Sequence, residues 1–468
     1  MALRPCAAGH CHNVDLELAD ACKAAGWPVG FPVPTNDGSG LCQCPCSCLA
    51  FGTLVQEGGG SFKAIETYEV GDEVMAAGKS LDFKSQRVVF SAGSTGASRE
   101  KNAVVVVYGD TAIVTTGDHL FLMHPDRTLK RADRLTTSDS LVAATGEGVA
   151  IKGVHVGDYL SGFHHVAATS REEPDENLDG HLLNTNGVVS ADYNVQIRAR
   201  SGDTVAFDAA ANTALPIVGS PEYVAANGEA ALRAPALEAE FAGNVNFTMQ
   251  PFDAPFDPAV VPAAPGTFIP AEATRVTVPP VACSFLPPDF AEAKKASPKR
   301  AFNDPFSREA TEQLLVFHKA FYGDINYTID WASDEVNAFA WVENGVRRVD
   351  LKGGLIRDND LDVEGIAVVI AHEIAHHHGG PPVGGSGLSC EGQADYRGVR
   401  DVMRKVWFGQ AYGSTTDAGI AQMAAFFGVP DSPTAPGGSA GCAHPAGACR
   451  VATYHAAVTL SGKPSCSG

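Results

Sequence analysis

The feature that most constrains this chain is a proline-rich stretch in which ten prolines occur between Pro251 and Pro288. Proline has no backbone N–H and a fixed φ, so this density disfavours regular hydrogen-bonded elements. Residues 199–300, which are rich in alanine and proline, are therefore predicted to form a connector. Because 468 residues exceed what one ordinary hydrophobic core supports, we expect separate domains on its two sides.

The pattern of apolar residues differs before and after this connector. Short apolar runs separated by Gly, Asp and Ser fill residues 48–198, which indicates an all-β domain. Residues 301–468 are predicted to form an α+β domain, because "SREATEQLLVFHKAFYG" has helical spacing and a hairpin pattern surrounds Glu343-Asn344-Gly345. Residues 1–47 carry no long periodic pattern and are predicted to be a small cysteine-rich segment held by disulfides or a metal.

Charge and cysteine content limit the partners and the compartment. The formal net charge of -20 repels polyanions, so we expect no nucleic-acid partner. No window has some twenty uninterrupted apolar residues, so we expect no transmembrane segment. The amino terminus lacks the basic start and apolar run of a signal peptide, yet twelve cysteines are many for a cytosolic protein. Seven of them lie between residues 6 and 48, and this clustering favours disulfide bonds and an extracellular or otherwise extracytosolic location.

The stretch "VEGIAVVIAHEIAHHHGGPP" predicts a helix that holds a metal ion. On a helix, His372 and His376 project from one face and can bind the same Zn²⁺. The neighbouring Glu373 can accept a proton from a water whose pKa zinc lowers. The third ligand that zinc needs is supplied by Glu391 in "SCEGQADYRG", and Asp395 one turn later can hold a ligand histidine. The alternative is a chance H-E-x-x-H pattern.

Five motifs in this region follow a known order. These are "NAFA" (337–340), "GGLI" (353–356), "AHEIAHH", "EGQAD" and "HPAGACR". Together they resemble the CAAX-prenyl-endopeptidase and HtpX-like family of zinc metallopeptidases over roughly residues 305–460. The chain lacks the hydrophobic spans of membrane-bound members, so nothing favours a prenylated substrate.

The resemblance implies a zincin-like fold that hydrolyses peptide bonds. His372, His376 and Glu391 would bind Zn²⁺, Glu373 would be the general base, and His444 would stabilise the oxyanion. His444 is alternatively an ordinary loop histidine. The cysteine before Glu391 is either a disulfide partner or a competing zinc thiolate, and an extracytosolic location favours the disulfide.

A second resemblance begins directly after the cysteine cluster, at "CLAFGTLVQEGGGSFKAIETYEVGDEVMA". Cys48, Gly52 and Thr53 match the opening of the Hint domain of inteins and hedgehog proteins. "TTGDHLFLM" supplies Thr116 and His119 at the expected T-x-x-H spacing. The closing "GHLLNTNGVVSADYNVQI" resembles hedgehog-type versions and lacks the terminal His-Asn of splicing inteins.

The chemistry of such a module needs these residue types. A thiolate at Cys48 attacks the carbonyl of Ser47 and forms a thioester, His119 protonates the departing nitrogen, and Thr116 positions the scissile amide. Without an asparagine to cyclise, we expect cleavage between Ser47 and Cys48 rather than splicing. The alternative is a β domain that keeps the shape without the activity, with Cys48 in a disulfide to Cys42, Cys44 or Cys46.

The leading interpretation is therefore a zinc endopeptidase, acting on a peptide or protein substrate, that carries a self-cleaving Hint-like domain. One alternative is an autoprocessing protein with a degenerate peptidase domain. Another is a non-catalytic secreted structural protein in which zinc only stabilises the fold.

Overall fold

The structure, a computed structural model, describes most of the chain after residue 47. The described residues are 22, 32–34, 41–43, 48–94, 96, 99–169, 174–201, 206–228, 247–250 and 265–468. Within the predicted cysteine-rich segment 1–47, the described residues are Cys22 and the paired strands β1 (Pro32–Pro34) and β2 (Leu41–Gln43), and the rest of the segment lies outside the described residues. Within the described ranges, no helix has the length and apolar character needed to cross a bilayer.

The chain divides into two compact units, Met1–Ala273 and Thr274–Gly468. The first has two large β-sheets in its described part. One sheet contains β3 (Leu49–Ala50), β8 (Phe90–Gly93), β9 (Glu100–Tyr108), β10 (Thr111–Thr115), β13 (Ser140–Val142), β14 (Gly148–Leu160), β15 (Phe163–Ala167), β18 (Thr248–Met249) and β19 (Thr267–Pro270). Its order is β18-β19-β14-β9-β10-β3-β15-β8, with β13 paired to β14.

The other sheet of this unit has the order β12-β11-β17-β16-β4-β5, with β6 between β16 and β7. Its strands are β4 (Leu54–Gln56), β5 (Phe62–Ala64), β6 (Glu73–Ala77), β7 (Lys84–Arg87), β11 (Leu120–Leu122), β12 (Leu129–Arg131), β16 (Leu182–Thr185) and β17 (Val188–Ala191). The helices that follow are α1 (Tyr193–Ser201), α2 (Ala209–Ala214) and α3 (Pro221–Asn227). Short 3-10 turns occur at Ile65–Thr67, Ala132–Arg134 and Ala271–Thr274.

The β9–β10 hairpin places the start of the Hint-like region in a core. Alternate residues of a strand face the same side, and Val105, Val107 and Val114 pack with the buried Cys48 in one apolar cluster. Strand β10 also pairs antiparallel with β3, where Thr115 lies opposite the residue after Cys48. The valine-rich run therefore fixes Cys48 beside the end of β10.

The second unit combines helices with a four-stranded sheet of order β20-β22-β23-β21. Its strands are β20 (Cys283–Ser284), β21 (Ile325–Asp330), β22 (Ala338–Glu343) and β23 (Val346–Lys352). Its helices are α4 (Pro288–Lys294), α5 (Pro305–Lys319), α6 (Gly353–Ile356), α7 (Val363–His378), α8 (Glu391–Arg397), α9 (Arg404–Val406), α10 (Gln410–Phe427) and α11 (Gly447–Val458). A π-helical segment spans Gly398–Met403, and a 3-10 turn spans Ser465–Ser467.

Local sequence explains several of these elements. Glu343 pairs with Val346 across a two-residue turn in which Asn344 and Gly345 have φ of 50° and 80°. Both angles suit a type I′ hairpin turn, for which Asn-Gly is the preferred pair, so the predicted hairpin is confirmed. The predicted helices at α5 and α7 are also confirmed, and α7 ends before two glycines and two prolines.

The predicted multidomain architecture, with both sheets and helices, is confirmed at that level. The boundary between the units falls at Ala273 and Thr274, and the region predicted as a connector contains α2, α3, β18, β19, β20 and α4. Disulfides join Cys390 to Cys442 and Cys449 to Cys466. The disulfide interpretation of Cys390 is thus confirmed.

Candidate functional site

Two buried histidines on α7 face each other in the second unit. The Nε2 atoms of His372 and His376 are 3.0 Å apart. The Nδ1 of His372 is 2.9 Å from Asp395 Oδ1, and the Nδ1 of His376 is 2.8 Å from the carbonyl oxygen of Ser389. Because these acceptors take the Nδ1–H groups, neutral imidazoles direct their Nε2 lone pairs at one another. Such an arrangement is stable only with a proton or a cation between the rings.

Glu391, the first residue of α8, completes a set of three ligand atoms. Its Oε2 is 3.3 Å from His372 Nε2, and its Oε1 is 3.5 Å from His376 Nε2. Burial acts to raise the pKa of Glu391, but His376 and His372 outweigh it and hold the pKa well below the usual value. Two imidazole nitrogens and a carboxylate are ligand types that zinc prefers, so these side chains fit a zinc ion.

Asp395 links His372 to a buried arginine. Arg450 donates from Nη2 and Nε to Asp395 at 2.7 and 2.9 Å, and the hydroxyl of Tyr454 donates to Asp395 at 3.0 Å. Burial alone would raise the pKa of Asp395, whereas the charge of Arg450 and the hydrogen bond from His372 lower it to about 2. Asp395 is therefore a carboxylate that orients one imidazole, the usual arrangement around a metal-bound histidine.

The approach of α8 to α7 depends on a glycine. The π-helical turn after α8 begins at Gly398, where a Cβ would lie 2.9 Å from the Ala371 carbonyl oxygen and 3.0 Å from the backbone nitrogen of His372. A side chain at this position would push the two elements apart. Gly398 therefore helps to bring Glu391 and Asp395 to the histidines, and π-helical turns are frequent at functional sites.

Glu373 is buried beside the ligand set. Neither of its carboxylate oxygens has a hydrogen-bond partner among the described residues. Burial raises its pKa to about 7, although the charges of His372 and His376 act in the opposite direction. A carboxyl group whose pKa is near neutrality suits proton transfer.

His444 lies at the edge of this group, in the loop before α11. Its Nε2–H donates to the carbonyl oxygen of Ser284 at 2.7 Å, and the same nitrogen is 3.5 Å from Glu391 Oε2. Burial lowers the pKa of His444. The structure thus brings His444 to the same place as His372, His376 and Glu391.

Two residues of this group were not foreseen. Ligand atoms of Cys283, His376 and Glu391 all lie within 4.8 Å of one another. Cys283 belongs to the region predicted as a connector, and no spacing rule links it to α7. Arg450 was recognised only as part of the "HPAGACR" motif.

The last two histidines of α7 are engaged elsewhere. The Nε2–H of His377 donates to the Arg348 carbonyl oxygen at 3.0 Å, and His378 Nε2 is 3.2 Å from Asp324 Oδ2. These contacts assign neither residue to the candidate ligand set.

In the first unit, Thr116 contacts the backbone of Cys48. The Cys48 N–H donates to Thr116 Oγ1 at 2.9 Å, and the Thr116 N–H donates to the Cys48 carbonyl oxygen at 3.0 Å. The Cys48 nitrogen belongs to the Ser47–Cys48 peptide bond. Thr116 is therefore hydrogen-bonded to the amide that the Hint-like chemistry would break.

His119 belongs to the same turn, since its backbone N–H donates to the Thr116 carbonyl oxygen at 3.1 Å. Its Nδ1 accepts a hydrogen bond from Gln196 Nε2 at 2.7 Å, which leaves the proton of a neutral ring on Nε2. That Nε2 is buried and has no hydrogen-bond partner among the described residues. Burial lowers the pKa of His119 to about 3.

Gln196 also contacts a second buried histidine, because its Nε2 is 3.0 Å from His165 Nε2. Burial, together with the neighbouring charges of His119 and His164, lowers the pKa of His165 well below its ordinary value. Gln196 and His165 were not identified from the sequence as site residues, although Gln196 lies in the closing Hint-like motif.

Solved structures of inteins match the N-terminal part of the chain. A bacterial intein-like domain from Clostridium thermocellum is 18% identical, with 31% of this chain and 99% of that chain covered and a TM-score of 0.27. A DnaB intein from Synechocystis sp. PCC 6803 is 16% identical, with 31% of this chain and 99% of that chain covered and a TM-score of 0.26. The zinc-bound Msm DnaB1 intein splicing domain is 20% identical, with 31% of this chain and 99% of that chain covered and a TM-score of 0.24.

No family model and no curated protein matches the chain. The comparisons thus include intein-like domains, whereas the zinc metallopeptidase fold remains a prediction.

Proposed function

We propose that the second unit is a zinc-dependent endopeptidase. One observation carries the proposal: the Nε2 atoms of His372 and His376 lie 3.0 Å apart, and both Glu391 oxygens lie within 3.5 Å of them. Bound there, zinc would polarise a substrate carbonyl and lower the pKa of a water. Asp395 and the Ser389 carbonyl orient the two imidazoles through their Nδ1–H groups.

The remaining residues supply proton transfer and charge stabilisation. Glu373 is buried with two unpartnered oxygens among the described residues, so it can accept a proton from the attacking water. His444 carries an N–H beside Glu391, and this group can donate to the negative oxygen that develops on the substrate. The substrate class that follows is a peptide or protein.

Replacement of Glu373 by Gln tests this proposal. The expected result is one bound zinc per chain, as in the wild type, and at least about a 100-fold loss of peptide hydrolysis. Metal analysis and digestion of a peptide library measure the two quantities. Glu364→Gln is the matched control, because Glu364 is on the same helix but its carboxylate accepts from Gln422 outside the site. If the wild type and a Cys283→Ser variant both bind zinc and cleave no peptide, only a structural role is left for the metal.

We also propose self-cleavage between Ser47 and Cys48 as a second function. The specific support is the hydrogen bond from the Cys48 N–H to Thr116 Oγ1. The Cys48 sulfur forms a C–S bond to the Ser47 carbonyl carbon, and the C–N bond breaks. His119 Nε2–H protonates the departing nitrogen and takes up the proton that the thiol releases, so the ring returns to its neutral form. Water then hydrolyses the thioester, which leaves a carboxylate on Ser47 and restores the Cys48 thiol.

Intact mass measurement of the purified full chain tests the cleavage. The wild type should yield a fragment that begins at Cys48, whereas Cys48→Ala should remain full length and Thr116→Val should cleave at least about tenfold more slowly. Cys283→Ser is the thiol control and should cleave like the wild type. A wild type that stays at full-length mass would remove this function.

We propose an extracytosolic location for the protein. The Cys390–Cys442 and Cys449–Cys466 disulfides are compatible with it, because disulfides persist in oxidising compartments. Their redox state in protein isolated from its native source is the direct test.

A further inference from the structure

Cys283 is a thiol within reach of the candidate metal ligands. Among the described residues it forms no disulfide, and its side chain is only partly buried. Its Sγ lies within 4.8 Å of ligand atoms of His376 and Glu391. A thiolate is a preferred zinc ligand, so this cysteine, which the peptidase motifs do not include, completes a possible set of four with His372.

Backbone pairing holds Cys283 in this position. It lies in β20, the edge strand of the four-stranded sheet, where Cys283 pairs antiparallel with Ala340 and Ser284 with Phe339. The next residue continues the pairing, because the Phe285 N–H donates to the Ala338 carbonyl oxygen at 2.9 Å. An extended peptide commonly binds a protein by adding a strand to a sheet edge. Along these residues of β22, the chain's own β20 already fills that edge.

The same short strand also engages His444. Its Nε2–H donates to the Ser284 carbonyl oxygen at 2.7 Å. His444 is the group to which the proposed mechanism assigns a donor role toward the substrate oxygen. One dipeptide, Cys283-Ser284, therefore presents a sulfur to the ligand set and a carbonyl oxygen to this donor.

We propose that β20 is a built-in occluding segment, with the Cys283 thiolate as a fourth zinc ligand. A catalytic zinc site keeps one position open for water, whereas four protein ligands close it. With β20 in place, the Cys283 thiolate fills the fourth zinc position and β20 covers the sheet edge. The Ser284 carbonyl accepts the N–H of His444, so the described arrangement is a latent form. Activation requires Cys283 and Ser284 to move away while Phe285, which is buried and packs against His372, remains an anchor. This inference rests on the proposed zinc site.

Cobalt substitution tests the ligation without relying on activity. In the full-length Cys48→Ala protein loaded with Co²⁺, we expect a thiolate-to-cobalt charge-transfer band in the near ultraviolet. The added Cys283→Ser change should remove the band and leave one metal per chain. As a second measurement, alkylation of Cys283 by iodoacetamide, followed by peptide mass spectrometry, should be at least about tenfold slower with bound zinc than after chelation.

Peptide hydrolysis then tests the occlusion. Cys283→Ser should hydrolyse a peptide library at least about tenfold faster than its parent, because serine is a poorer zinc ligand. Ser414→Ala is the control and should behave like the parent, because the exposed Ser414 hydroxyl donates to backbone carbonyl oxygens of its own helix, α10.

The outcomes separate this inference from the proposed function. A charge-transfer band that survives in Cys283→Ser, or alkylation that does not respond to metal, overturns the ligation even if the protein is a peptidase. If Cys283→Ser loses the band but neither this variant nor its parent hydrolyses peptides, the proposed peptidase activity and the occlusion are both overturned. Cys283 is then a ligand of a closed structural site. Hydrolysis that is equal in both proteins, with the band lost only in the variant, overturns the occlusion alone.

Discussion

Each unit of this protein buries a pair of histidines, and the two pairs have opposite acid–base character. His119 and His165 share the neutral amide of Gln196, and burial lowers the pKa of both. For His372 and His376, burial acts in the same direction, but Asp395 and Glu391 outweigh it and raise both pKa values. Burial alone therefore does not decide the charge of a histidine, because the charges of its neighbours shift the pKa as well.

The difference has a chemical consequence. An imidazole surrounded by amides and apolar groups stays neutral and can pass a proton without a metal, which suits the environment of His119. In the second unit, Glu373, Glu391 and Asp395 are buried together, and Arg450 is the buried cation that contacts Asp395. The excess of carboxyl groups over guanidinium favours a further cation between the imidazoles. The environment of the first pair thus suits the proposed proton transfer, and that of the second pair suits the proposed metal binding.

The largest expected effect comes from Asp395→Asn. This change leaves Arg450 without its buried counter-charge and removes the carboxylate acceptor of His372, so unfolding of the second unit should become easier by about 3–5 kcal/mol. Zinc affinity should fall by about 10–100-fold. Denaturant unfolding and zinc titration measure the two effects.

The matched control for that prediction is Asp401→Asn. Asp401 forms an exposed pair with Arg397 at 2.8 Å, and such surface pairs contribute less than about 1 kcal/mol. If Asp395→Asn cost no more than Asp401→Asn, the buried carboxylate would not distinguish the second histidine pair from the first.

Zinc should stabilise the second unit and leave the stability of the first unit unchanged. A ligand that binds only the folded state stabilises it by about 4 kcal/mol at a free concentration of about a thousand times its Kd. Hydrogen exchange of α7 and α8 should therefore slow when zinc is added to chelator-treated protein, whereas exchange of β9 and β10 should not change. Equal protection of β9 and β10 would mean that the first unit also binds the metal.

Sequence periodicity predicted the local part of these sites. His372 and His376 are one helical turn apart, so their shared face follows from α7 alone, and the Asn344-Gly345 turn follows from its two residues. Contacts between segments that are distant in the sequence could not be predicted from local patterns. Gln196 is 77 residues from His119, and Cys283 lies in a proline-rich stretch whose composition indicated a connector. The path of the chain, rather than any local period, brings these two residues to their sites.

A smaller effect is expected for Gln196→Leu in the first unit. The change removes the donor to His119 Nδ1 and the acceptor for the Leu120 N–H, and unsatisfied buried polar groups cost about 1–3 kcal/mol. Gln196→Glu is the informative companion, because it places a carboxylate between the histidines as in the second unit. The pKa of His119, followed by NMR, should then rise above that in the wild type. An unchanged pKa would contradict the explanation by neighbouring charge.

The smallest effect is the pH dependence of the first unit. His119 has a folded-state pKa of about 3 against an ordinary 6.5, because burial opposes its protonation. The unfolded chain therefore takes up protons below pH 6.5 that the folded protein cannot, so the stability contributed by the neutral ring is present above 6.5 and is lost as the pH falls toward 3. Over about the first pH unit below 6.5, the loss should be about 1 kcal/mol for this histidine. Denaturant midpoints of the wild type and of His119→Phe measure the difference, since phenylalanine removes the titrating group and keeps a ring. Parallel pH profiles for the two proteins would mean that His119 takes up a proton as readily in the folded protein as in the unfolded chain, which would contradict the effect of burial.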